Sequence, residues 1–143
     1  MNLLKIAKPA VIVSLEASVM DAIQAMEKAT VGAVLITHEG ELKGVFSERD
    51  LMLRVVLKEL DLKATPVADV MTSPVLTILK ETRPDDALEL MWNRHIRHLP
   101  VVDSDGKVEA MVSIRHLLHD KVENLTQELD SLEAFITADG IGG

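Results

Sequence analysis

The chain has 143 residues, 48% hydrophobic and 27% charged, the proportions of a globular protein with one core or two closely packed ones. With a formal net charge of −8, no Tyr, two Phe and one Trp, it offers neither a basic face nor the aromatic platforms that hold single-stranded nucleic acid. It has no Cys, which excludes disulfides, thiolate metal sites and Cys nucleophiles and fits a reducing, cytoplasmic setting.

Taken in chain order, Val11-Ile12-Val13 predicts a short β-branched strand. Ser18 precedes Val19, Ala22, Ile23 and Met26, a helical apolar stripe, and Asp21 three residues on gives a capping-box start. Ala33-Val34-Leu35-Ile36 is a continuous apolar run, as in a strand buried on both faces. Gly40 marks a turn, Leu42 to Phe46 returns as a strand, and Ser47 caps a helix carrying Leu51 and Val55. Glu59 to Val67 is a link, and Asp69-Val70-Met71-Thr72 a short turn beyond it. Val75 to Leu79 then reads as a strand. Thr82, Pro84 and Asp85 start a helix with Pro in its first turn, followed by Ala87, Leu88, Leu90 and Met91. Leu99 to Val102 is a strand, Asp105-Gly106 a turn, Val108 to Val112 a strand, and Ser113 caps the last helix.

The order β-α-β-β-α thus occurs twice, and the register can be counted. Ala22 matches Ala87 and Met26 matches Met91 at an offset of 65 (87 − 22), whereas Gly40 and Gly106, Ser47 and Ser113, and Leu51 and Leu117 match at 66 (106 − 40). The extra residue falls in a turn, where insertions are tolerated. Two copies are too few for a solenoid. They predict an α/β fold of two tandem halves related by a pseudo-two-fold axis, with a ligand cleft between them. The reading divides the chain into a first repeat (1–62), a second (63–119) and a C-terminal helical extension and tail (120–143). In the extension, Leu118, Val122, Leu125, Leu129, Leu132 and Ile136 are spaced 4, 3, 4, 3, 4, a heptad seam of under three heptads. Such a helix either docks on its own domain or pairs with another chain. Residues 139–143 are expected to fray.

The segments Val67-Ala68-Asp69-Val70-Met71-Thr72, His98-Leu99-Pro100-Val101-Val102-Asp103 and Ser47-Glu48-Arg49-Asp50, together with the repeat, resemble the cystathionine-β-synthase (CBS) domain family over about residues 9 to 119. The resemblance implies a regulatory pair without turnover that binds an adenosyl ligand (AMP, ADP, ATP, NAD or S-adenosylmethionine) between its repeats and dimerises as a disc. The chain is expected to be a stand-alone pair, with no room for a catalytic domain. Carried over from the family, Asp50 would hold both ribose hydroxyls, with Ser47 and Arg49 on the same turn. Val75, Leu76 and Thr77 would lie near the adenine, and Ile96, Arg97 and His98 near the phosphates. Arg97 brings a permanent charge with fork geometry, and His98 a proton-dependent donor. Read from the residues alone, Ser47-x-x-Asp50 is also a helix cap, and Arg97 a solvated charge. The second copy reads Ser113-Ile114-Arg115-His116. An imidazole cannot receive two hydroxyls as a carboxylate can, and the positions facing it, Val31-Gly32-Ala33, carry no cation. The two clefts are therefore expected to be unequal, with one nucleotide per chain.

Catalysis finds little support. No Gly-rich phosphate loop occurs, and His95, His98, His116 and His119 lack a third metal ligand in pattern, so no catalytic residue, metal site or required cofactor is expected. Lys5, Lys8, Pro9 and Glu16 interrupt the N-terminus too early for a signal-peptide core, and no apolar run approaches the roughly 20 residues of a membrane span. A homodimer is expected through the helices Val19–Ala29 and Arg83–His95, where Trp92 stands outside the core stripe, along with a regulated protein partner. The alternative is a scaffold or dimerisation module with no small-molecule ligand.

Overall fold

In the computed structural model, which describes residues 2–138, the predicted element order appears twice. The first half comprises β1 (Ile12–Ser14), α1 (Val19–Ala29), β2 (Ala33–His38), β3 (Glu41–Ser47) and α2 (Glu48–Asp50). The second comprises β4 (Ile78–Leu79), α3 (Pro84–Arg94), β5 (His98–Val102), β6 (Val108–Ser113) and α4 (Ile114–Ala138). Each half has a three-stranded sheet whose middle strand pairs parallel with the first and antiparallel with the last. The fraying expected of residues 139–143 lies outside the described residues.

The repeats share local devices. Ser18 and Asp21 exchange hydrogen bonds as a full capping box at the start of α1. α1 and α3 both end on a left-handed residue, Thr30 and His95, each with φ of 55°. The next N–H returns to the same place in both, Val31 to the Met26 carbonyl at 3.0 Å and Ile96 to that of Met91 at 3.1 Å. α2 continues beyond Asp50 in wider π turns over Leu51–Val56.

One difference has a covalent cause. The sequence predicts a strand over Val75 to Leu79, yet β4 has two residues. In the first half the Leu35 N–H donates to the Val11 carbonyl at 2.8 Å, which extends the parallel ladder. Pro100 occupies the equivalent position and has no N–H, so the second ladder begins one pair later, at Ile78 and Val101.

Each half buries its own core. Val19, Ala22 and Met26 of α1 pack on Val34, Ile36, Phe46 and Val55, while Ala87 and Met91 of α3 pack on Leu99, Val101, Val112 and Leu117. The opposite sheet faces meet in a third cluster of Ala33, Leu35 and Met111, flanked by Val45 and Val108. All of Ala33–Ile36 is buried, as a continuous apolar run predicts.

The segments that precede each repeat are exchanged. Leu3 and Ile6, at the head of the chain, belong to the second half's core, and Val67 and Val70, at the head of the second half, belong to the first's. Lys8 pairs with Met111 of β6 through two hydrogen bonds of 2.9 Å, and Thr72 pairs with Val45 of β3 through bonds of 2.8 and 3.0 Å. Gly44 makes the second crossing possible, because a methyl there would overlap Met71 and come to 3.1 Å of the Thr72 carbonyl oxygen. The halves are therefore tied twice.

α4 meets α3 over its first turns, where Lys121 Nζ lies 3.2 Å from Asp85 Oδ1. From Val122 to Thr137 every residue is exposed, so this stretch of α4 is not buried against its own domain. Among the described residues, no helix is long and apolar enough to cross a membrane.

Candidate functional site

The site is built from the β3–α2 junction. Ser47 leaves β3 extended, and its N–H and hydroxyl donate to Asp50 Oδ2 at 2.9 and 3.0 Å, while the Asp50 N–H donates to Ser47 Oγ at 3.3 Å. This is the cap that Ser-x-x-Asp predicts. The carboxylate is also buried, 7% exposed, and a buried charge has to be answered. Thr72 Oγ1 donates to Oδ1 at 2.9 Å, and Arg54 Nε stands 3.5 Å from the same oxygen. Arg54 also donates to the Met71 carbonyl at 2.9 Å. A carboxylate has about four acceptor directions; hydrogen bonds from Ser47 and Thr72 take three of them, and the Arg54 guanidinium stands beside Oδ1. The sequence leaves both oxygens open to a ribose. In the structure a ribose must displace Thr72 and Arg54 from Oδ1, or the Ser47 hydroxyl from Oδ2.

Thr72 and Arg54 are thus site residues that sequence reasoning missed. Arg54 was within reach, since it stands at i+4 from Asp50, where helical ion pairs form. Thr72 carried no such signal, because its contact depends on the crossing over β3.

The second half meets this turn at its β5 end. Arg49 Nη1 donates to the His95 carbonyl at 3.4 Å. Glu48 and His98 converge on Gly32, where a methyl would come to 2.7 Å of Glu48 Oε1 and 3.3 Å of His98 Cε1. Gly32 is the repeat counterpart of Arg97 (97 − 32 = 65), and its bare Cα gives those side chains their room. Across the halves, therefore, Glu48 comes to His98 and Arg49 to His95, whereas Asp50 meets Ser47, Thr72 and Arg54. Arg97 is exposed at the same edge, its carbonyl taken by the Ile114 N–H at 2.8 Å, and Ile96 packs against the second core. Val75 and Thr77 line a cleft of about 820 Å³ with the turns Glu39–Lys43 and Asp105–Lys107, and Ser73, next to the Thr72 that meets Asp50, lines it too. Ser47, Asp50, Arg97 and His98 do not line it, and Leu76 is exposed.

At the matching start of α4, the His116 N–H donates to Ser113 Oγ at 3.2 Å, but no carboxylate answers Ser113, and His116 Nδ1 is buried without a partner. Burial holds the His116 pKa below its ordinary value, and Lys8 and Arg115 lower it further. The expectation of no cation in this cleft came from Val31-Gly32-Ala33. The exchanged segment, through the pairing of Lys8 with Met111, brings Lys8 near enough to lower the His116 pKa, and its side chain is exposed. Burial also lowers the pKa of His98, with His116 and Arg97 acting in the same direction and Glu48 against them.

Both shifts have the same sign for stability. A His whose folded pKa is depressed protonates first in the unfolded chain, so its contribution is complete above the unfolded value of about 6.5 and is lost as pH falls through it toward the folded pKa. The melting temperature is expected to fall between pH 7.5 and 5.5, with a flatter dependence in His98→Gln. Equal slopes in the two proteins would remove His98 from the account.

A family model described as CBS domain matches residues 4–57 and 67–123. The CBS domain-containing protein CBSX3, mitochondrial, of Arabidopsis thaliana is 34% identical over 124 residues, covering 83% of this chain and 60% of that protein. The chain spans 22% of the length of another relative from the same plant, CBS domain-containing protein CBSCBSPB1. Among solved structures, a putative signal-transduction protein with CBS domains from Burkholderia ambifaria superposes with a TM-score of 0.79 at 29% identity, covering 86% of this chain and 95% of that one. The CBS domain protein PAE2072 from Pyrobaculum aerophilum, solved as a complex with AMP, gives 0.73 at 30% identity, with 81% and 89% covered.

Proposed function

The chain belongs to the CBS domain family, and on that premise we propose that it is a non-catalytic regulatory module that binds an adenosine-containing nucleotide between its halves and signals metabolite state to a protein partner. The observation that carries this reading is the buried Asp50 carboxylate at the start of α2, within a junction made by both halves. Such a group can accept ribose hydroxyls once Thr72 and Arg54 yield, and Arg49, Arg97 and His98 stand at the same edge to meet phosphate. The AMP complex of PAE2072 supports the ligand class. AMP, ADP, ATP, NAD and S-adenosylmethionine remain candidates, and a cytoplasmic setting belongs to the same reading. The second reading is a scaffold with empty clefts, and the three hydrogen bonds that Ser47 and Thr72 already make to Asp50 favour it.

Thermal shift with these five adenosyl ligands separates the two. At a hundredfold excess over Kd a ligand that binds the native state alone adds about 2.7 kcal/mol, which is roughly 10 °C for a chain of this size. A shift with at least one nucleotide supports the sensor, and none with any of them supports the scaffold. The same reading includes a homodimer through α1 and α3, where Trp92 is 78% exposed. Sedimentation at micromolar concentration is expected to give about twice the 15.7 kDa chain mass, and a monomer would defeat that interface.

A further inference from the structure

α4 runs for 25 residues and carries a bare apolar stripe. Its seam residues, Leu118 through Ile136, and the adjoining Phe135 are between 37% and 62% exposed. A polar helix end needs no cover, but a continuous apolar stripe of this length does. We infer that the stripe is covered by the same stripe of a second copy of the chain, running antiparallel.

The spacing places Val122, Leu129 and Ile136 at the a positions and Leu118, Leu125 and Leu132 at d. The flanking charges choose the direction. In a parallel pair Glu128 at g faces Glu133 at e of the second copy, twice per dimer, and Lys121 faces the uncharged Thr126. In an antiparallel pair the layers are Leu118 with Ile136, Val122 with Leu132, and Leu125 with Leu129, each formed twice. His119 then faces Glu133 twice, the Lys121 stem lies along Phe135, and one like-charge pair remains, Glu128 with Glu128. Within its own chain His119 meets Glu123 at 3.1 Å, and Lys121 meets Asp85.

A groove agrees with this direction. Between α3 and α4 lies a space of about 200 Å³ whose lining includes Leu88, Leu117, Lys121 and Leu125. The antiparallel register carries Phe135 of the second copy to this place beside Lys121, whereas the parallel register leaves it open. Six seam positions are few for an autonomous coil, and this contact between helix end and body adds to them. The inference does not depend on nucleotide binding.

The test uses full-length chains with single cysteines, unambiguous because the protein has none of its own. Leu125→Cys and Leu129→Cys are mixed and oxidised gently, with Ser131→Cys, off the seam, as the reference and circular dichroism confirming the fold of each. The antiparallel pair sets position 125 against 129 of the second copy, within disulfide reach. A mixed 125–129 disulfide is expected to form about tenfold faster than the Ser131 reference, because pairing raises the local concentration. Homodisulfides of each variant in place of the mixed one would mean a parallel pair and overturn the inference. Formation at the reference rate would mean an unpaired tail or one covered by a different protein, and would overturn it equally.

Discussion

Asp50→Ala is expected to abolish nucleotide binding and to lower stability at the same time. The carboxylate accepts from the Ser47 N–H, the Ser47 hydroxyl and the Thr72 hydroxyl, with Arg54 beside it. Truncation removes the return half of a capping box, which costs about 1 kcal/mol. It also strands the Thr72 hydroxyl, a further 1–3 kcal/mol or so if no water replaces the bond. A loss of roughly 2–4 kcal/mol corresponds to a fall in melting temperature on the order of 10 °C. Asp50→Asn separates binding from folding. The amide keeps one acceptor for the Ser47 cap, so most of the stability should remain, but it presents a donor where the second ribose hydroxyl needs an acceptor. Charge-assisted hydrogen bonds are worth about 1.5–3 kcal/mol each, so binding should weaken by roughly tenfold to a hundredfold. Titration calorimetry with AMP is expected to give one site per parent chain, no site in Asp50→Ala, and an unchanged site in His116→Ala. Parent-like binding by Asp50→Asn, or two equal sites in the parent, would sink the assignment.

Leu3→Ala is expected to be among the most damaging single changes, although it stands third in the chain. Chain ends are ordinarily frayed and tolerant. Here Leu3 is fully buried among Ile78, Ala87, Met91 and Leu99 of the second half, and its N–H donates to the Lys80 carbonyl at 2.9 Å. Removing three buried carbons from such a place costs about 2–5 kcal/mol, a large share of the roughly 5–15 kcal/mol that holds a domain together. The exposed neighbour Lys5→Ala should stay within about 0.5 kcal/mol of the parent. Urea melts of the three proteins decide the matter: equal midpoints for Leu3→Ala and the parent would mean that the head of the chain is not part of the second core.

Much of this protein was legible in its residues, because the relevant signals are local or periodic. The stripe Val19-Ala22-Met26 fixed a helix and its buried face, Ser18 with Asp21 and Ser47 with Asp50 fixed two helix starts, and offsets of 65 and 66 fixed the duplication. Each depends on residues a few positions apart, or on one pattern written twice. The length of β4 was not read, although Pro100 carried the reason, since a residue without an N–H cannot extend a ladder. The tertiary structure decided the rest. Leu3 and Ile6 bracket a single 3₁₀ turn and carry no period that names their partner some 75 to 115 residues away. Thr72 is an ordinary polar residue until the crossing at Gly44 lays it beside Asp50, and Lys8, though exposed, acts on His116 only because the reciprocal crossing pairs it with Met111. In each case the deciding interaction joins segments distant in sequence through one hydrogen bond or one buried side chain. Periodicity shows which face of an element is buried, whereas the segment that covers that face follows from how the two halves close on each other.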